Sequence, residues 1–418
     1  MKITTLPELR ERYVSFMQQR GYVRIPADHL ISDAFPTTFN VSGGPNFVDH
    51  YLDEGKREGE NSVTIQHCLR HWDYANAGDG SHLSFFEMGV TTAFDGYPQQ
   101  RVFRDHLTFI LDHLQFPKEL LYFTVFGGGW VRGTYFHEDS ETKDTWRSLG
   151  IEEKNIYLIP QDVPAEIAAR IVAERGADVI EREAFVSNAV EPVGGPRTEI
   201  FIDRGGPGNC EPYCVPGFCS CGRFVEFWTS VHYTVRVTPV TNERDRHGEM
   251  ILALEPLQLT SRIYAAAFGL ERVMQILLNQ PNIYTFELLT ELSSLVETYL
   301  QRSLPVDDRR HVWAIADHLR GLTFLIIEGV QELSGKTSRS RKYEYRRYIR
   351  SLHSHFEALA IHPERTLIRN LVEKVIETHL DDLPYREIYD KETAHPDAIA
   401  WEILTRMENL AKGELVKT

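Results

Sequence analysis

Apolar and polar residues follow two different rhythms along the chain, and the change falls near residue 280. Before it, short β-rich runs such as SVTIQHCL and FVEFWTSVHYTVRV lie between Gly- and Pro-containing turns, without regular β-α-β spacing. This pattern predicts an antiparallel sheet with helices packed against it. After it, segments such as VWAIADHLRGLTFLIIEGV carry apolar residues at helical spacing. We therefore predict an α+β domain over residues 1–280 and an all-α domain over residues 281–418.

Charge narrows the possible partners more than composition does. The chain has 418 residues, of which 42% are hydrophobic and 25% charged, as is typical of globular proteins. The net charge of −15 argues against a non-specific nucleic-acid coat, although a local basic stripe can still bind one. No apolar run reaches the length of a membrane span, and the N-terminus lacks the apolar core of a signal peptide. The sequence therefore predicts a cytoplasmic protein without a membrane partner.

The segment TIQHCLRHWDYANAGDGSHLSFFEMG has the pattern of a strand, a polar loop and a second strand. Arg70 would stand at the end of the first strand, where its planar guanidinium can bind a phosphate through two hydrogen bonds. Phe86 on the second strand could stack on a purine. From spacing alone, an ordinary β-hairpin with a surface arginine and core phenylalanines is the more common explanation.

This segment resembles motif 2 of class II aminoacyl-tRNA synthetases, in the form found in alanyl-tRNA synthetases. In that family an arginine is followed by a loop, a histidine and an F-F-E-M stretch. The resemblance implies that Arg70 contacts the α-phosphate of ATP and the acyl carboxylate, that His82 helps to hold the phosphates, and that Phe86 stacks on adenine. It also places Asp73 and Glu87 in the ATP site and Met88 in the acyl pocket.

A second match is FGLERVMQIL, in which a glycine leads into a helix. It could be no more than a charged pair on an amphipathic helix face. It is similar to the G-L-E-R of motif 3, which implies that Gly269 and Arg272 belong to the ATP site and that Arg272 binds the γ-phosphate. Glu271, with Glu87 or Glu199, could carry Mg²⁺, which prefers a few carboxylates plus phosphate oxygens. Neither a P-loop nor a dinucleotide fingerprint is present in the sequence.

Further matches extend this resemblance from about residue 6 to about residue 350. The runs EPVGGPRTEIFIDRG, FVEFWTSVHY and VWAIADHLRGLTFLIIEGV each resemble a block of the alanyl-tRNA synthetase core. The resemblance implies a class II synthetase-type antiparallel sheet flanked by helices, and an ATP-dependent, AMP-forming ligase that uses Mg²⁺. Both reactants of adenylation are anionic, so the protein would act mainly by neutralising charge and aligning them. We take Arg70 and Arg272 as the catalytic residues.

The acyl pocket departs from the family pattern. The Asp that holds the alanine ammonium in D-T-G-M-G-L-E-R stands here as Ala265, the Asn of W-N-L-V-F as Thr229 and the Trp of N-F-W as Val186. An ammonium left without its anion costs about 3–5 kcal/mol. We therefore expect an acid other than L-alanine, unless Glu191 or another residue holds the amine. The predicted acyl pocket comprises Met88, Val186, Glu199, Trp228, Thr229, Ala265 and Ala267.

The helical half departs as well. The family's P-S-N-E-G-R-G-Y-V-L-R-R stands here as ELSGKTSRSRKYEYRRYIR, with Ser338 roughly at the Asn position. Because the chain ends at Thr418, we expect it to lack the distal tRNA-recognition, editing and oligomerisation regions. The remaining basic strip is either a solvated helix face or a site for an anionic acceptor: tRNA, a phosphopantetheinyl carrier or a nucleotide-like molecule. It consists of Lys336, Arg339, Arg341, Lys342, Arg346, Arg347 and Arg350.

Three functions remain open at this point. The first is an acyl-adenylate-forming ligase that activates a carboxylic or amino acid other than L-alanine and transfers it to a small molecule or carrier in specialised metabolism. The second is a stand-alone alanine–tRNA ligase-like enzyme that lacks editing and still charges a tRNA. The third is a non-catalytic RNA-binding or regulatory paralogue, against which the retained ATP residues argue. The resemblance favours a monomer, since alanyl-tRNA synthetase cores do not depend on the motif 1 dimer interface.

Four of the five cysteines lie within residues 210–221, with the spacing C-x3-C-x4-C-x-C. In a reducing compartment such a cluster favours a metal site over disulfides. A loop rich in Gly and Pro can wrap four thiolates around one Zn²⁺. The alternative is a set of reduced, unliganded thiols. We predict a structural zinc held by Cys210, Cys214, Cys219 and Cys221, and a core position for Cys68.

Overall fold

The computed structural model describes most of the chain, in twelve stretches: residues 2–32, 37–43, 61–94, 98–188, 192–205, 214–219, 221–244, 250–257, 262–285, 287–302, 304–334 and 336–412. The strands are β1 (Val23–Arg24), β2 (Ser62–Leu69), β3 (Phe85–Ala93), β4 (Leu121–Phe126), β5 (Gly129–Val131), β6 (Thr134–Phe136), β7 (Ile156–Ile159), β8 (Phe185–Val186), β9 (Val193–Asp203), β10 (Phe224–Tyr233), β11 (Val235–Arg244), β12 (Met250–Pro256) and β13 (Ile263–Gly269).

The helices fall into two groups along the chain. The first group lies among the strands: α1 (Leu6–Gln19), α2 (Gln99–Thr108), α3 (Ser140–Ser148), α4 (Ala165–Arg175), α5 (Val179–Glu183) and α6 (Leu270–Leu277). The second group follows the last strand: α7 (Glu287–Leu300), α8 (Arg309–Ile327), α9 (Lys336–Ala358), α10 (Arg365–His379), α11 (Tyr385–Ile388) and α12 (Pro396–Ala411). The predicted α+β fold with a following all-α region is confirmed.

The central sheet of the described residues has the order β1-β2-β3-β13-β10-β9-β11-β12, with β4 and β8 also paired to β9 and β7 paired to β4. Most pairs are antiparallel, as predicted, but β1 runs parallel to β2 and β4 parallel to β7. The middle strands β3, β13, β10 and β9 pair directly with one another. Their side chains alternate between two faces, so one face can carry a site while the other packs on helices.

Helix α1 packs against one face of the central sheet. Thr5 caps its first turn by accepting from the backbone N–H of Glu8, whose carboxylate reaches back to the N–H of Thr5, a capping box. Tyr13 on this helix is fully buried and meets Trp228 and Phe268 edge-on, at ring distances of 5.9 and 4.8 Å. These contacts fix which residues of β10 and β13 face the helix.

The helical half packs directly against the catalytic sheet. One apolar cluster includes Tyr13 of α1, Phe85 of β3, Phe324 of α8 and Tyr385 of α11. The Asp317 carboxylate on α8 accepts from the backbone N–H groups of Ser84 and Phe85, at 3.0 and 3.3 Å. The domain boundary at 280/281 falls between α6 and α7 and stays a prediction. Within the described residues, no helix combines the length and apolar character needed to cross a bilayer.

Candidate functional site

Two connected cavities open on the face of β3, β13, β10 and β9 that points away from α1. The outer chamber, of about 250 Å³, contains six of the seven side chains predicted for the ATP site: Arg70, Asp73, His82, Phe86, Gly269 and Arg272. The inner chamber, of about 300 Å³, lies farther along the same strands. Five residues line both chambers and form a throat between them: Arg70, Met88, Arg197, Thr229 and Ala267.

Arg70 is held at the throat by the residues around it. It follows the last residue of β2, and its backbone N–H donates to the carbonyl of Ser84 at 2.8 Å. Its Nε donates to the carbonyl of Val41 at 3.2 Å, and its guanidinium carbon lies 4.8 Å from the centre of the Phe86 ring. Because these contacts leave guanidinium N–H groups facing the cavities, Arg70 can bind an anion without reorganising.

A tight turn places His82 at the rim of the outer chamber. The carboxylate of Asp79 accepts from the N–H groups of Ser81 and His82, at 2.7 and 2.9 Å, and lies 2.6 Å from His82 Nδ1. Tyr284 clamps the same loop, since its hydroxyl donates to the His82 carbonyl at 2.5 Å and accepts from the Gly78 N–H at 2.8 Å. Sequence reasoning missed Tyr284, which lies outside every recognised motif.

Arg272 lies in the first turn of α6 and lines the outer chamber. It donates to the carbonyl of Ser81 at 2.5 Å, so the rim loop and α6 are tied together. Burial lowers the pKa of Arg272, partly offset by the carboxylates of Glu226 and Asp79. A partly desolvated cation at a helix start is well suited to bind a phosphate.

Glu87 does not reach the chambers, contrary to our prediction. On β3, Phe86 and Met88 face the cavities, and the side chain between them must point to the other face. There Glu87 is fully buried, accepts two hydrogen bonds from Arg10 at 2.6 and 2.7 Å, and accepts one from Tyr385 at 2.9 Å. Glu87 therefore links α1 to the helical half, through a buried ion pair with Arg10 and a hydrogen bond from Tyr385.

Glu271 lines the outer chamber but is already engaged. Its carboxylate accepts from the backbone N–H of Glu87 at 3.0 Å and from Arg320 at 3.1 Å. Burial raises the pKa of Glu271 to about 7, while Arg320 acts in the opposite direction. This carboxylate is thus bound to Arg320 of the helical half, which makes it a poor candidate for Mg²⁺.

Two other carboxylates, Glu199 and Glu226, line the outer chamber from neighbouring strands. Burial raises the pKa of Glu199 to about 7; Arg197 opposes this shift, and the charges of Glu226 and Glu183 add to it. The sequence analysis did not single out Glu226, although it lies in the run FVEFWTSVHY, two residues before Trp228. A register shift between Glu226 and Trp228 marks a bulge, which lets Glu226 and Thr229 both face the cavity.

The inner chamber is lined mainly by apolar side chains. Of the predicted acyl-pocket residues, Met88, Val186, Thr229, Ala265 and Ala267 line it, whereas Glu199 lies in the outer chamber. Trp228 lies elsewhere, contrary to our prediction. It is fully buried on the opposite face, where its ring stacks on Phe268 at 4.4 Å. Its position follows from the same strand alternation that points Thr229 into the cavity.

Within the described residues, the sheet places no carboxylate directly opposite Ala265, the position that would hold an amine. In the sheet register Ala265 lies opposite Val231 on β10 and Thr92 on β3, neither of which is acidic. Glu191 lies outside the described residues. The lining residues that were not predicted include Trp72, which is 46% exposed, and Arg197.

Arg197 projects from β9 into the throat. It donates to the backbone carbonyl of Glu183, and its Nε lies 3.3 Å from the carboxylate of Glu199. The run EPVGGPRTEIFIDRG resembles the alanyl-tRNA synthetase block G-P-C-G-P-C-S-E-I, in which the residue two positions before the glutamate is a cysteine. Arg197 therefore adds a positive charge where the family pattern has none.

Comparison with known proteins decides the family. The family model described as tRNA synthetases class II (A) matches residues 8–416. The chain belongs to this family. The resemblance predicted from the sequence is thereby confirmed, together with the class II type of fold.

Several alanine–tRNA ligases are similar to this class II chain. That of Treponema denticola is 28% identical over 370 residues, covering 86% of this chain and 54% of the relative. That of Borreliella afzelii is 26% identical over 421 residues, covering 98% of this chain and 61% of the relative. The chain thus spans little more than half the length of these relatives. Among solved structures, S. aureus histidyl-tRNA synthetase matches with a TM-score of 0.36 and 11% identity over 72% of this chain and 79% of its own.

The cysteine cluster of the class II chain is partly described. The sulfur atoms of Cys214, Cys219 and Cys221 lie within 4.8 Å of one another, and those of Cys214 and Cys221 are 3.6 Å apart. Cys210 lies outside the described residues. Four thiolates placed about 2.3 Å from one Zn²⁺ in a tetrahedron are separated by roughly 3.8 Å, so these three thiols fit such a site. Cys68 is buried in β2, as predicted.

The predicted basic strip lies on α9, and only part of it faces solvent. Arg339, Arg347 and Arg350 are exposed. Arg341 is buried and donates to the carbonyls of Ser32 and Thr38, at 2.6 and 3.0 Å. The side chain of Lys336 is outside the described set. Arg347 is also paired with Glu344 at 3.0 Å, so the surface offers less positive charge than the sequence indicates.

Proposed function

We propose that the chain is an ATP-dependent ligase that forms an acyl-adenylate from an acid other than L-alanine and passes the acyl group to a small molecule or a carrier protein. One observation carries this proposal: an outer chamber that contains Arg70, His82 and Arg272 opens through a throat at Arg70 into a mainly apolar inner chamber. A bent triphosphate and a carboxylic acid can therefore meet at one arginine.

The side chains divide the work of adenylation among them. Adenine would lie on Phe86, with the phosphates between Arg70 and Arg272 and near His82. The acid would place its carboxylate at Arg70 in the throat, in line with the α-phosphorus. A carboxylate is already ionised at neutral pH, so the reaction needs no general base. Arg70 and Arg272 act by stabilising the charge that develops on the phosphoryl oxygens.

Mg²⁺ fits Glu199 and Glu226 better than the sequence prediction, which was Glu271 with Glu87 or Glu199. Both carboxylates line the outer chamber, and part of the raised pKa of Glu199 comes from the charge of Glu226. A cation between them would relieve that repulsion. When bound, Mg²⁺ would supply charge neutralisation at the triphosphate. Glu87 does not line the chamber, and Glu271 is a poorer candidate because its carboxylate is hydrogen-bonded by both Arg320 and the backbone N–H of Glu87.

The choice of acid rests on the inner chamber. An α-ammonium beside Ala265 would meet Val231 and Thr92 instead of a carboxylate. Such an unpaired cation costs about 3–5 kcal/mol, which is roughly two to three orders of magnitude in binding. The cavity of about 300 Å³ also leaves room for an acid larger than alanine.

A second candidate function is aminoacylation of a tRNA. The relatives in the comparison carry the name alanine–tRNA ligase, and α9 presents the exposed arginines Arg339, Arg347 and Arg350. Two contacts argue against tRNA binding: Arg341 donates its hydrogen bonds to backbone carbonyls of this chain, and Arg347 is paired with Glu344. We therefore rank a small-molecule or carrier acceptor first.

ATP–pyrophosphate exchange against a panel of amino and non-amino acids tests the proposal. We expect exchange with an acid other than L-alanine; if L-alanine is the best substrate, the proposal is wrong. Transfer to total tRNA, collected on filters, separates the two acceptors. Robust acid-dependent acylation of tRNA would favour the second candidate.

A structural Zn²⁺ completes the proposal, with Cys214, Cys219 and Cys221 as ligands and Cys210 as the fourth. Metal analysis of the purified protein should give one zinc per chain, and Cys214→Ser should lower that content. Cys68→Ser is the matched control, since Cys68 is buried in β2 far along the chain from the loop. Full retention of zinc in the Cys214 variant would exclude this site.

A further inference from the structure

Two arginines line the throat, and the proposed adenylation mechanism gives a role to only one of them. Arg70 and Arg197 both line the outer and the inner chamber. Arg70 is assigned to the reacting carboxylate. An acid bound there places its α-carbon next in line toward the inner chamber, because the carboxylate and the α-carbon are directly bonded. The α-substituent of the acid therefore lies where Arg197 can reach it.

The charged side chains near the α-carbon of the acid are positive, whereas an amino acid requires a negative one there. An α-ammonium needs a carboxylate, yet none lines the inner chamber in the described part of the chain. The charged side chains that do line it are Arg70 and Arg197. Two guanidinium groups beside an ammonium would repel it.

Arg197 retains hydrogen-bonding capacity for a ligand. One terminal nitrogen donates to the Glu183 carbonyl, while Nε lies 3.3 Å from Glu199 without hydrogen-bond geometry. A guanidinium has five N–H donors, so this anchoring fixes its position and leaves donors available. Its side chain is only 24% exposed, which strengthens a hydrogen bond to an oxygen of the acid.

Part of the remaining wall is aliphatic. Val90, Val186, Val231 and Ala265 line the inner chamber, together with the polar or aromatic residues Ser42, Trp72, Asn188 and Tyr233. The aliphatic part accepts a branched alkyl group, and the described lining has no carboxylate to pair with a cationic side chain.

From these contacts, and on the basis of the proposed adenylation function, we infer that the acid is a 2-oxo or 2-hydroxy carboxylic acid with an aliphatic side chain. Arg197 would donate to its α-oxygen and would repel the α-ammonium of the corresponding amino acid. Arg197 is thus a specificity-determining residue, separate from Arg70, which holds the carboxylate.

A series of four acids with the same carbon skeleton tests the inference: 2-oxoisovalerate, 2-hydroxyisovalerate, isovalerate and L-valine. They differ only at the α-carbon, so ATP–pyrophosphate exchange with each reports the α-substituent alone. We expect one or both α-oxygen acids to exceed isovalerate about 10–100-fold in kcat/KM, the usual worth of a hydrogen bond to a charged donor. L-valine should be the poorest substrate.

Arg197→Gln should reduce the preference for the α-oxygen acids over isovalerate, taken as the ratio of their kcat/KM values, to within about 3-fold. Arg175→Gln is the matched control, because Arg175 is exposed and pairs with the same Glu183 at 2.9 Å. Arg197→Lys, which keeps the charge, should retain part of the preference. An equal loss for all four acids in Arg197→Gln would indicate a merely structural role and overturn the inference.

The outcomes separate this inference from the function on which it rests. Highest exchange with L-valine or isovalerate overturns the inference and leaves adenylation standing. Exchange with no acid of any class overturns the proposed function and the inference with it.

Discussion

The outer and inner chambers lie on the same strands and share a throat, yet they are built differently. The outer chamber is lined by charged side chains whose positions are fixed by loops and by contacts with the helical half, such as Tyr284 on the His82 loop. The inner chamber is lined largely by strand residues whose register sets their neighbours, such as Ala265 opposite Val231. Binding of ATP can thus be kept while the choice of acid changes, because side chains such as Ala265 line only the inner chamber.

The largest effect should come from removing a cation of the outer chamber. Arg272→Ala should lower ATP–pyrophosphate exchange about 10³-fold with every acid, since it removes a group that stabilises charge on the phosphates. Single-turnover kinetics would check this. Arg104→Ala, on the exposed face of α2, is the control. A loss confined to one acid would mean that Arg272 belongs to the inner chamber and would break the comparison.

The buried ion pair behind the sheet should affect folding and leave ATP binding unchanged. Glu87→Ala leaves the buried Arg10 without its main partner, and we expect a loss of about 3–5 kcal/mol in the free energy of unfolding. The KM for ATP should stay within 2-fold under conditions where the protein is folded, roughly the scatter of such measurements. Urea unfolding and exchange kinetics measure the two effects. The exposed Glu119→Ala should change neither, and a large rise in KM for Glu87→Ala would restore Glu87 to the ATP site.

Restoring an anion in the inner chamber should change the choice of acid. Ala265→Asp should raise the ratio of exchange with amino acids to exchange with amine-free acids about 10–100-fold, because the ammonium gains a partner in a cavity with little water. The KM for ATP should change little. Ala169→Asp, on the exposed side of α4, controls for added negative charge. An unchanged ratio would mean that Ala265 does not border the α-substituent.

The smallest effect should appear in the pH dependence of stability. The pKa of Glu199 is raised to about 7 in the folded state, so the folded protein binds this proton more tightly than the unfolded chain. Stability should therefore fall as pH rises from about 4.5 to 7, the interval between the two pKa values. Glu199→Gln should remove part of this fall and be more stable at pH 8 by on the order of 1–2 kcal/mol. Because Glu271 also has a pKa of about 7, a residual slope should remain. Unfolding curves at several pH values measure both slopes.

The residues of the outer chamber can be predicted from local sequence motifs better than those of the inner chamber. Arg70, His82 and Arg272 belong to contiguous motifs, so the sequence predicted them, and the structure brings them together. Glu87 was misplaced because strand alternation, which decides the face of each side chain, was not applied to the F-F-E-M stretch. Trp228 was misplaced for the same reason.

The contributions that the sequence did not predict come from contacts between distant segments. Tyr284 reaches the His82 loop from beyond α6, and Arg197 reaches the throat from β9. The bulge beside Trp228 that turns Glu226 inward has no signature in the residues themselves. The fold class followed from hydrophobic periodicity, whereas the parallel pairs β1–β2 and β4–β7 depend on how the sheet edges close.

The contact of Asp317 with the start of β3 limits how this protein can be taken apart. Its carboxylate serves the N–H groups of Ser84 and Phe85, directly before the residues that face the cavity. A fragment ending at residue 280 would lose that acceptor, and Glu271 would lose Arg320. The sheet therefore depends on its own helical half and cannot simply be combined with a different helical domain. Attempts to redirect its chemistry should instead replace side chains within the intact chain.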